Sequence, residues 1–279
     1  MGSITLLDGA SGTRLWALAE EKGLPKEPTW RYNLTHPELV AQVAREYVEA
    51  GSALIYANTF AANRLALKGE ADVAEVVRAG IAAAKEAAAG KARVALDVGP
   101  LAGMLEPYGD LEEAETEAIF AEQLDAGAQA GVDCIVLETF MDVRMLRCAM
   151  LAAKRCALPL LCSMTFRDDG RSFIGDSPED LAALAEELGA DAVGTNCSPT
   201  PDIALPILRR IAAATELPLL FKPNAGLPVK GPDGTSFPYT AQMFADAVAP
   251  ALELENLRYL GACCGSTPEF IRELKTRFL

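Results

Sequence analysis

Three cysteines in the second half of the sequence offer the clearest chemistry of the chain. Cys197 follows an apolar run that ends in Gly-Thr-Asn, and the pair Cys263 and Cys264 follows another that ends in Gly-Ala. Each run is typical of a β-strand that opens into a loop, so the three thiols could meet at one point in space. Three thiolates are a strong ligand set for zinc, and they leave a fourth coordination position open, as a catalytic site requires. We therefore predict one zinc ion per chain, with these three cysteines as its ligands and as the catalytic groups.

Inert packing is the alternative interpretation of any cysteine, because a free cysteine behaves as a small hydrophobic residue. We assign that role to the four cysteines that lie inside predicted strands or on helix faces, which are Cys134, Cys148, Cys156 and Cys162. For the other three, the metal interpretation depends on whether the remaining strand ends carry groups that suit such a site.

Apolar runs of strand length recur eight times along the chain. They lie at residues 4–8, 53–57, 93–98, 133–138, 158–165, 191–196, 217–223 and 257–263. These runs are nearly continuous rather than alternating, which is typical of strands buried on both faces. Helical patterns lie between them, and three of these begin with a capping residue followed by proline, at Ser177, Thr200 and Thr267.

Eight strand–helix alternations, with strand starts roughly 36 residues apart, predict an α/β fold, a (β/α)8 TIM barrel with its active site at the C-terminal ends of the strands. A doubly wound open sheet is the competing fold, but it would usually have fewer strands and a G-x-G-x-x-G turn, which the sequence lacks. The longest insertions, at 15–34, 97–111 and 224–239, all follow strands. We find no linker or repeat and expect one domain over residues 1–279.

The composition excludes some partners. The net charge of −14 argues against nucleic acid or an anionic membrane as a partner, because both attract basic surfaces. No N-terminal signal and no membrane-spanning run of about 18 apolar residues is present. Seven cysteines, an odd number, suit a reducing compartment better than a disulfide framework. We therefore expect a cytoplasmic protein, whose oligomeric state the sequence leaves open.

Polar residues and glycines stand at all eight predicted strand ends, where the strands of a barrel converge on one mouth. At seven of these ends the segments are Leu7-Asp8-Gly9-Ala10 with Gly12-Thr13, Asn58-Thr59-Phe60 with Asn63-Arg64, Gly99-Pro100, Glu138-Thr139-Phe140, Asn196-Cys197, Lys222-Pro223-Asn224-Ala225-Gly226 and Gly261-Ala262-Cys263-Cys264-Gly265. Together they resemble the zinc-dependent homocysteine S-methyltransferase family, and most closely the homocysteine-binding module of cobalamin-dependent methionine synthase. The resemblance extends from residue 4 to about residue 275. Two small departures, Ala57 for a common threonine and Ala262 for a usual glycine, remove no functional side chain.

The resemblance implies the parts of a substrate site. The zinc ion would bind the sulfur of homocysteine as its fourth ligand. Asp8 and Glu138 resemble the carboxylates that bind the substrate's ammonium group, and the turn with Gly9 and Ala10 offers backbone N–H groups to its carboxylate.

Three asparagines complete the candidate substrate site. Asn196 and Asn224 would orient the cysteine loops, and Asn58 would line the pocket beside the metal.

The resemblance also implies the reaction, which is methyl transfer to the thiolate of homocysteine to give methionine. The sequence has no room for folate or corrinoid modules, so we expect methylcobalamin carried by a partner corrinoid protein. A small donor such as S-methylmethionine, S-adenosylmethionine or a betaine is the alternative. The same site could instead accept another thiol, or the chain could be a non-catalytic zinc- or thiol-binding subunit.

Overall fold

The computed structural model describes residues 3–231 and 234–279 and contains ten strands within them. They are β1 (Thr5–Leu6), β2 (Leu54–Tyr56), β3 (Arg93–Val98), β4 (Cys134–Phe140), β5 (Leu160–Met164), β6 (Ala192–Asn196), β7 (Leu219–Lys222), β8 (Val229–Gly231), β9 (Gly234–Ser236) and β10 (Leu257–Leu260). Eight of them form one parallel sheet in the order β1-β10-β7-β6-β5-β4-β3-β2. The Ala53 amide donates to the Leu6 carbonyl at 2.8 Å and so joins the two ends of this sheet. The predicted (β/α)8 barrel is confirmed, and the doubly wound alternative is wrong because strand order never reverses.

Helices alternate with the barrel strands and surround them. They are α1 (Ser11–Glu21), α2 (Thr29–Thr35), α3 (Pro37–Ala50), α4 (Arg64–Leu67), α5 (Val73–Ala88), α6 (Glu113–Gln129), α7 (Val143–Ala153), α8 (Pro178–Leu188), α9 (Pro201–Ala214), α10 (Ala241–Val248) and α11 (Pro268–Phe278). No described helix is long and apolar enough to cross a membrane.

Two of the three predicted proline-flanked caps form. Ser177 accepts a hydrogen bond from the Asp180 amide while the Asp180 carboxylate accepts one from the Ser177 amide, a capping box at the start of α8. Thr200 accepts from the Ile203 amide at the start of α9. Thr267 precedes α11 without a side-chain bond to its first turn, so there the proline alone marks the start.

Two apolar cores result from the barrel. The larger one lies between strands and helices, and the smaller one fills the barrel interior. The interior core consists of Leu7, Leu54, Tyr56, Ala95, Cys134, Val136, Leu161, Ala192 and Leu220. Side chains alternate between the two faces of a strand, so residues two positions beyond these also point into the barrel.

The insertions predicted after strands contain structure of their own. Residues 15–34 include most of α1 and α2, and residues 224–239 include the antiparallel hairpin of β8 and β9. The sequence Gly231-Pro232-Asp233-Gly234 between these two strands is typical of a turn, but residues 232 and 233 lie outside the described residues. The last predicted barrel strand is shorter than expected, because it ends at Leu260 rather than at residue 263.

Candidate active site

A layer of polar side chains closes the C-terminal end of the barrel interior. Ala95 and Val136 face inward, so Asp97 and Glu138, two residues further along β3 and β4, face inward as well. By the same alternation, Lys222 extends inward from β7 beyond Leu220. Asp97, Glu138 and Lys222 are all buried. The apolar interior therefore ends in charged groups that face the barrel mouth.

The three predicted metal ligands meet at this mouth. The Sγ atoms of Cys197, Cys263 and Cys264 all lie within 4.8 Å of one another. Those of Cys197 and Cys264 are 3.5 Å apart. A tetrahedral zinc ion with Zn–S bonds of about 2.3 Å requires S–S separations of about 3.8 Å, so the three thiols fit such an ion with little movement.

Backbone geometry explains how neighbouring cysteines reach the same point. Strand β10 ends at Leu260, so Cys263 and Cys264 lie in the loop beyond it, where side chains no longer alternate. Cys197 follows the last residue of β6 with a φ of 53°, a left-handed conformation that is uncommon outside glycine. All three thiols therefore depend on irregular backbone immediately after a strand.

The Pro-Asn-Ala segment after β7 holds the two cysteine loops together. The Cys263 amide donates to the Pro223 carbonyl at 2.8 Å, and the Ala225 amide donates to the Cys264 carbonyl at 2.9 Å. The Asn224 amide group donates to the carbonyl of Cys197 at 3.1 Å. Asn224 thus contacts a cysteine loop in the way that an orienting residue should.

Hydrogen bonds among the thiols favour one thiolate even without a metal. S–H donation from Cys197 and Cys263 lowers the pKa of the Cys264 thiol to about 3. Donating those bonds raises the pKa of the Cys197 thiol, and burial raises it further. Three thiolates at this separation would repel one another, so a divalent cation is the natural group to stabilise them.

Lys222 connects the two carboxylates that the sequence assigns to substrate binding. Its Nζ lies 3.2 Å from Asp8 Oδ1 and 3.4 Å from Glu138 Oε2. The same ammonium lies 4.0 Å from the centroid of the Tyr56 ring, within cation–π range. Asp8 is held on its other oxygen, Oδ2, by the amide of Tyr56 at 2.7 Å. The predicted substrate carboxylates therefore already share an internal cation.

Burial changes the acidity of this cluster. Desolvation raises the pKa of Glu138 to about 7 despite the nearby Lys222 ammonium. The pKa of Asp8 is also raised by burial, with Lys222 opposing the shift. Burial lowers the pKa of Lys222, but attraction to Glu138 and Asp8 outweighs that effect and leaves the pKa well above its usual value. Lys222 is therefore the permanent cation of the cluster.

The Asn196 side chain bonds to residues on the carboxylate side of the site, and its role in orienting the cysteine loops stays a prediction. Its Oδ1 accepts from the Thr139 amide and the Ser163 hydroxyl, both at 2.8 Å. Its Nδ2 donates to Thr139 Oγ1 at 2.7 Å. Thr139 has a φ of 65° at a register irregularity of β4, directly after Glu138. Asn196 thus fixes the bulge that directs Glu138.

The turn after β1 packs against Ser266 in the loop before α11 and against Tyr47 of α3. The amide of Ala10 donates to Ser266 Oγ at 3.1 Å, so this N–H is already paired within the chain. A Cβ at Gly9 would lie 2.7 Å from Ser266 Oγ and 2.8 Å from the Tyr47 ring, so only glycine fits there. The role of Gly9 and Ala10 in binding a substrate carboxylate stays a prediction.

Asn58 is engaged with helix α2. Its amide group donates to the Thr29 carbonyl at 2.8 Å and to Asn33 Oδ1 at 2.6 Å. It lines a small cavity with Tyr56 and Ser11 near the mouth. Its predicted place beside the metal stays a prediction.

Sequence reasoning assigned no role to Lys222, Asp97 or Ser266. Asp97 and Lys222 stand at strand ends, and counting every second residue from the apolar interior positions would have directed both inward. Ser266 had no such signal, because its contact with Ala10 joins residues at opposite ends of the chain.

Known proteins resemble this chain over nearly its whole length. The family description of the homocysteine S-methyltransferases matches residues 5–278. Methionine synthase of Mycobacterium tuberculosis is 31% identical over an alignment of 295 positions. This alignment covers 96% of this chain and 24% of that protein. Betaine–homocysteine S-methyltransferase 1 of Mus musculus is 29% identical over an alignment of 298 positions. This alignment covers 98% of this chain and 72% of that protein.

Solved structures give the same result for the fold. The apo form of the homocysteine methyltransferase MmuM from Escherichia coli superposes with a TM-score of 0.77 at 25% identity, covering 99% of this chain and 96% of that one. The fold and the site thus define a (β/α)8 barrel protein with a cluster of three thiols that could hold a metal ion. The match over nearly the whole chain makes the assignment specific: this chain belongs to the homocysteine S-methyltransferase family. It spans 24% of the length of the mycobacterial methionine synthase.

Proposed function

We propose that the chain transfers a methyl group to the sulfur of homocysteine to give methionine. The observation that carries this proposal is the meeting of the Cys197, Cys263 and Cys264 sulfur atoms within 4.8 Å of one another at the barrel mouth. Buried carboxylates of Asp8 and Glu138 at the same mouth suit the ammonium group of an amino-acid thiol. We assign the activity to the cytoplasm, because these thiols must stay reduced.

Zinc is the metal that the donor set suits best, because three sulfur ligands in a tetrahedral arrangement favour it. A zinc ion bound there would supply an open coordination position that deprotonates the substrate thiol, and a thiolate is the competent nucleophile. The chain's own contribution is to hold the three sulfur atoms at fixed positions through the bonds from Asn224 and Ala225. Asp8 and Glu138 would keep the amino-acid end of the substrate away from the metal.

We propose a methylcorrinoid carried on a partner protein as the methyl donor. What supports this is a set of exposed apolar side chains on the loops that follow barrel strands, which would suit a macromolecular partner. They are Met104, Tyr108, Met141, Phe173 and Leu227. The mouth that they surround is the face at which the three thiols lie.

A small donor is the second candidate, and the mouse relative is named for betaine. An onium donor usually needs several aromatic faces around its cation. Phe140 and Phe166 are fully buried in the core between strands and helices, and Tyr56 already contacts Lys222. Tyr239 bonds through its hydroxyl to Asp202. Few aromatic faces therefore remain for a cage among the described residues, which favours the corrinoid donor.

The test combines metal analysis with a donor comparison. Protein purified under reducing conditions should contain about one zinc ion per chain. Cys197→Ser, Cys263→Ser and Cys264→Ser should each lose most of the metal and the activity. Cys156→Ser is the matched control, because Cys156 is a half-buried cysteine beyond the end of α7 and should keep both.

Donors are then compared side by side on the zinc-loaded protein with homocysteine as acceptor. We expect methionine to form faster from methylcobalamin or a methylated corrinoid protein than from S-methylmethionine, S-adenosylmethionine or betaine. Faster turnover with any small onium donor would reject the corrinoid proposal and leave thiol activation standing. A protein without zinc, or full activity in the triple serine variant, would reject the metal site. Metal binding without turnover from any donor would favour a non-catalytic subunit.

A further inference from the structure

Asp97 is a buried carboxylate whose backbone is fixed but whose side chain is not paired. Its amide donates to Thr59 Oγ1 at 3.1 Å, and the same hydroxyl donates to its carbonyl at 2.8 Å. Its carboxylate oxygen Oδ1 is buried and has no hydrogen-bond partner among the described residues. Asp97 is only 8% exposed, so water does little to stabilise a negative charge on its carboxylate. Among the described residues, Asp97 therefore has a fixed backbone position but no ion-pair partner.

The two neighbouring carboxylates are in a different state. Asp8 receives the Tyr56 amide on one oxygen and faces Lys222 with the other. Glu138 also faces Lys222. Lys222 therefore forms ion pairs with two carboxylates, and the third carboxylate of the cluster, Asp97, forms none with the described residues.

The charges around Asp97 indicate which kind of group its unpaired carboxylate would bind. Burial raises the pKa of Asp97 well above its usual value, and the charges of Glu138 and Asp8 raise it further while the Lys222 ammonium opposes them. A positive group that comes within a few ångströms of a buried carboxylate favours its charged form. An amino-acid thiol brings one such group, its α-ammonium, into the barrel mouth.

We propose that Asp97 binds the ammonium group of the substrate and completes the amino-acid pocket beside Glu138. The inference rests on the proposed function, since it takes an amino-acid thiol as the substrate. Lys222 lies between Asp8 and Glu138 and already balances part of their charge, so Asp97 adds a further carboxylate for the incoming cation. Its role is to select a thiol with an α-ammonium group over a simple mercaptan.

The experiment compares two thiols that differ in this one group. L-Homocysteine and 4-mercaptobutanoate share the thiol, the chain length and the carboxylate, but 4-mercaptobutanoate has no ammonium group. Their affinities for zinc-loaded wild type, Asp97→Asn and Asp110→Asn are measured by calorimetry. Asp110→Asn is the matched control, because Asp110 is an exposed aspartate of the loop that follows β3.

We expect Asp97→Asn to bind homocysteine about ten- to a hundredfold more weakly, the usual effect of losing one charge-assisted hydrogen bond. Its affinity for 4-mercaptobutanoate and its zinc content should match wild type. Asp110→Asn should match wild type with both thiols. Asp97→Ser, which is neutral and smaller, should lose the same discrimination, so the result does not depend on how one variant folds.

Unchanged discrimination in both Asp97 variants would overturn the inference and mean that the ammonium binds at Asp8 and Glu138. An equal loss for both thiols would overturn it in favour of a purely structural role. If wild-type protein binds neither thiol, the proposed function itself fails. If wild type binds homocysteine and the variants do so equally well, only the role of Asp97 fails.

Discussion

The residues of the site form two groups, a cluster of thiols and a cluster of charged side chains. The sulfur side consists of three thiols held by backbone contacts from the segment after β7. The charged side consists of buried carboxylates around one lysine. Breaking a buried ion pair costs far more than breaking one at the surface, because the remaining charge stays desolvated. The two sides should therefore respond separately to substitution.

Replacing Asp8 by alanine should weaken homocysteine binding while leaving zinc in place. Asp8 contacts Lys222 and the Tyr56 amide, so its loss disturbs the ammonium pocket without removing a metal ligand. We expect a loss of about ten- to a hundredfold in affinity, and Glu138→Ala should behave likewise. Calorimetry measures the affinity and metal analysis the zinc content. Loss of zinc in parallel would mean that these carboxylates support the metal site instead.

Glu138 should make the stability of the folded protein depend on pH. Its pKa is about 7 in the folded protein against a reference value of 4.5, so the folded state binds the proton more tightly than the unfolded state. This contribution to stability is complete below about pH 4.5 and is lost as the pH rises through about 7. Burial is the main cause of the raised pKa; Lys222 opposes it, and the charges of Cys263 and Asp8 add to it.

The measurement is urea unfolding of wild type and Glu138→Gln at about pH 5 and about pH 8. Wild type should lose stability relative to the glutamine variant between the two values, because glutamine does not titrate. A difference between the two proteins that stays constant with pH would show that Glu138 titrates normally.

At the scale of elements, the close approach of strands β6 and β7 determines where the polar side chains of the site lie. Asn196 and Lys222 are register partners on these strands, and both face the polar layer. The approach depends on Gly194, where a Cβ would lie 1.8 Å from the Leu220 carbonyl oxygen. The backbone itself would have to move, since that contact is not with a flexible side chain.

Gly194→Ala should therefore destabilise the protein by about 3 kcal/mol, at the upper end of the usual cost of overpacking a core. Gly12→Ala is the control, because its Cβ would meet only the Thr29 methyl group at 3.7 Å, and alanine is the better helix former. Urea unfolding curves compare the two variants with wild type. Equal stability of Gly194→Ala and wild type would mean that β6 and β7 can separate without loss.

At the scale of the whole molecule, the barrel presents different ends to its surroundings. Exposed Tyr108 and Phe173 lie on loops at the end that holds the site, whereas Leu279 follows the C-terminal end of α11 at the opposite end. A partner that brings a large methyl donor must reach the thiols at the first of these ends.

The double variant Tyr108→Ser/Phe173→Ser should slow methyl transfer from a methylated corrinoid protein and leave transfer from free methylcobalamin unchanged. The reason is that only the protein-bound donor needs the apolar rim for docking. Leu279→Ser is the control and should affect neither reaction. Initial rates of methionine formation decide the matter, and an equal effect on both donors would locate these side chains in the site rather than in a docking surface.

The sequence by itself determined the barrel and the thiol cluster. Continuous apolar runs and capped helices are local signals, so eight alternations were enough to predict strand order and to bring Cys197, Cys263 and Cys264 to one mouth. The three thiols come together because they follow parallel strands, whose C-terminal ends all lie at the same end of the barrel.

Only the tertiary structure decided how the charges pair. Lys222 lies between Asp8 and Glu138, residues far apart in the chain, and their pairing depends on closure of the barrel and on a bulge held by Asn196. Asp97 had the same sequence signal as any other strand-end aspartate, and its lack of a partner appears only once its neighbours are in place. Local patterns predict which side chains are buried, but the distances between buried charges come from the packing of the whole chain.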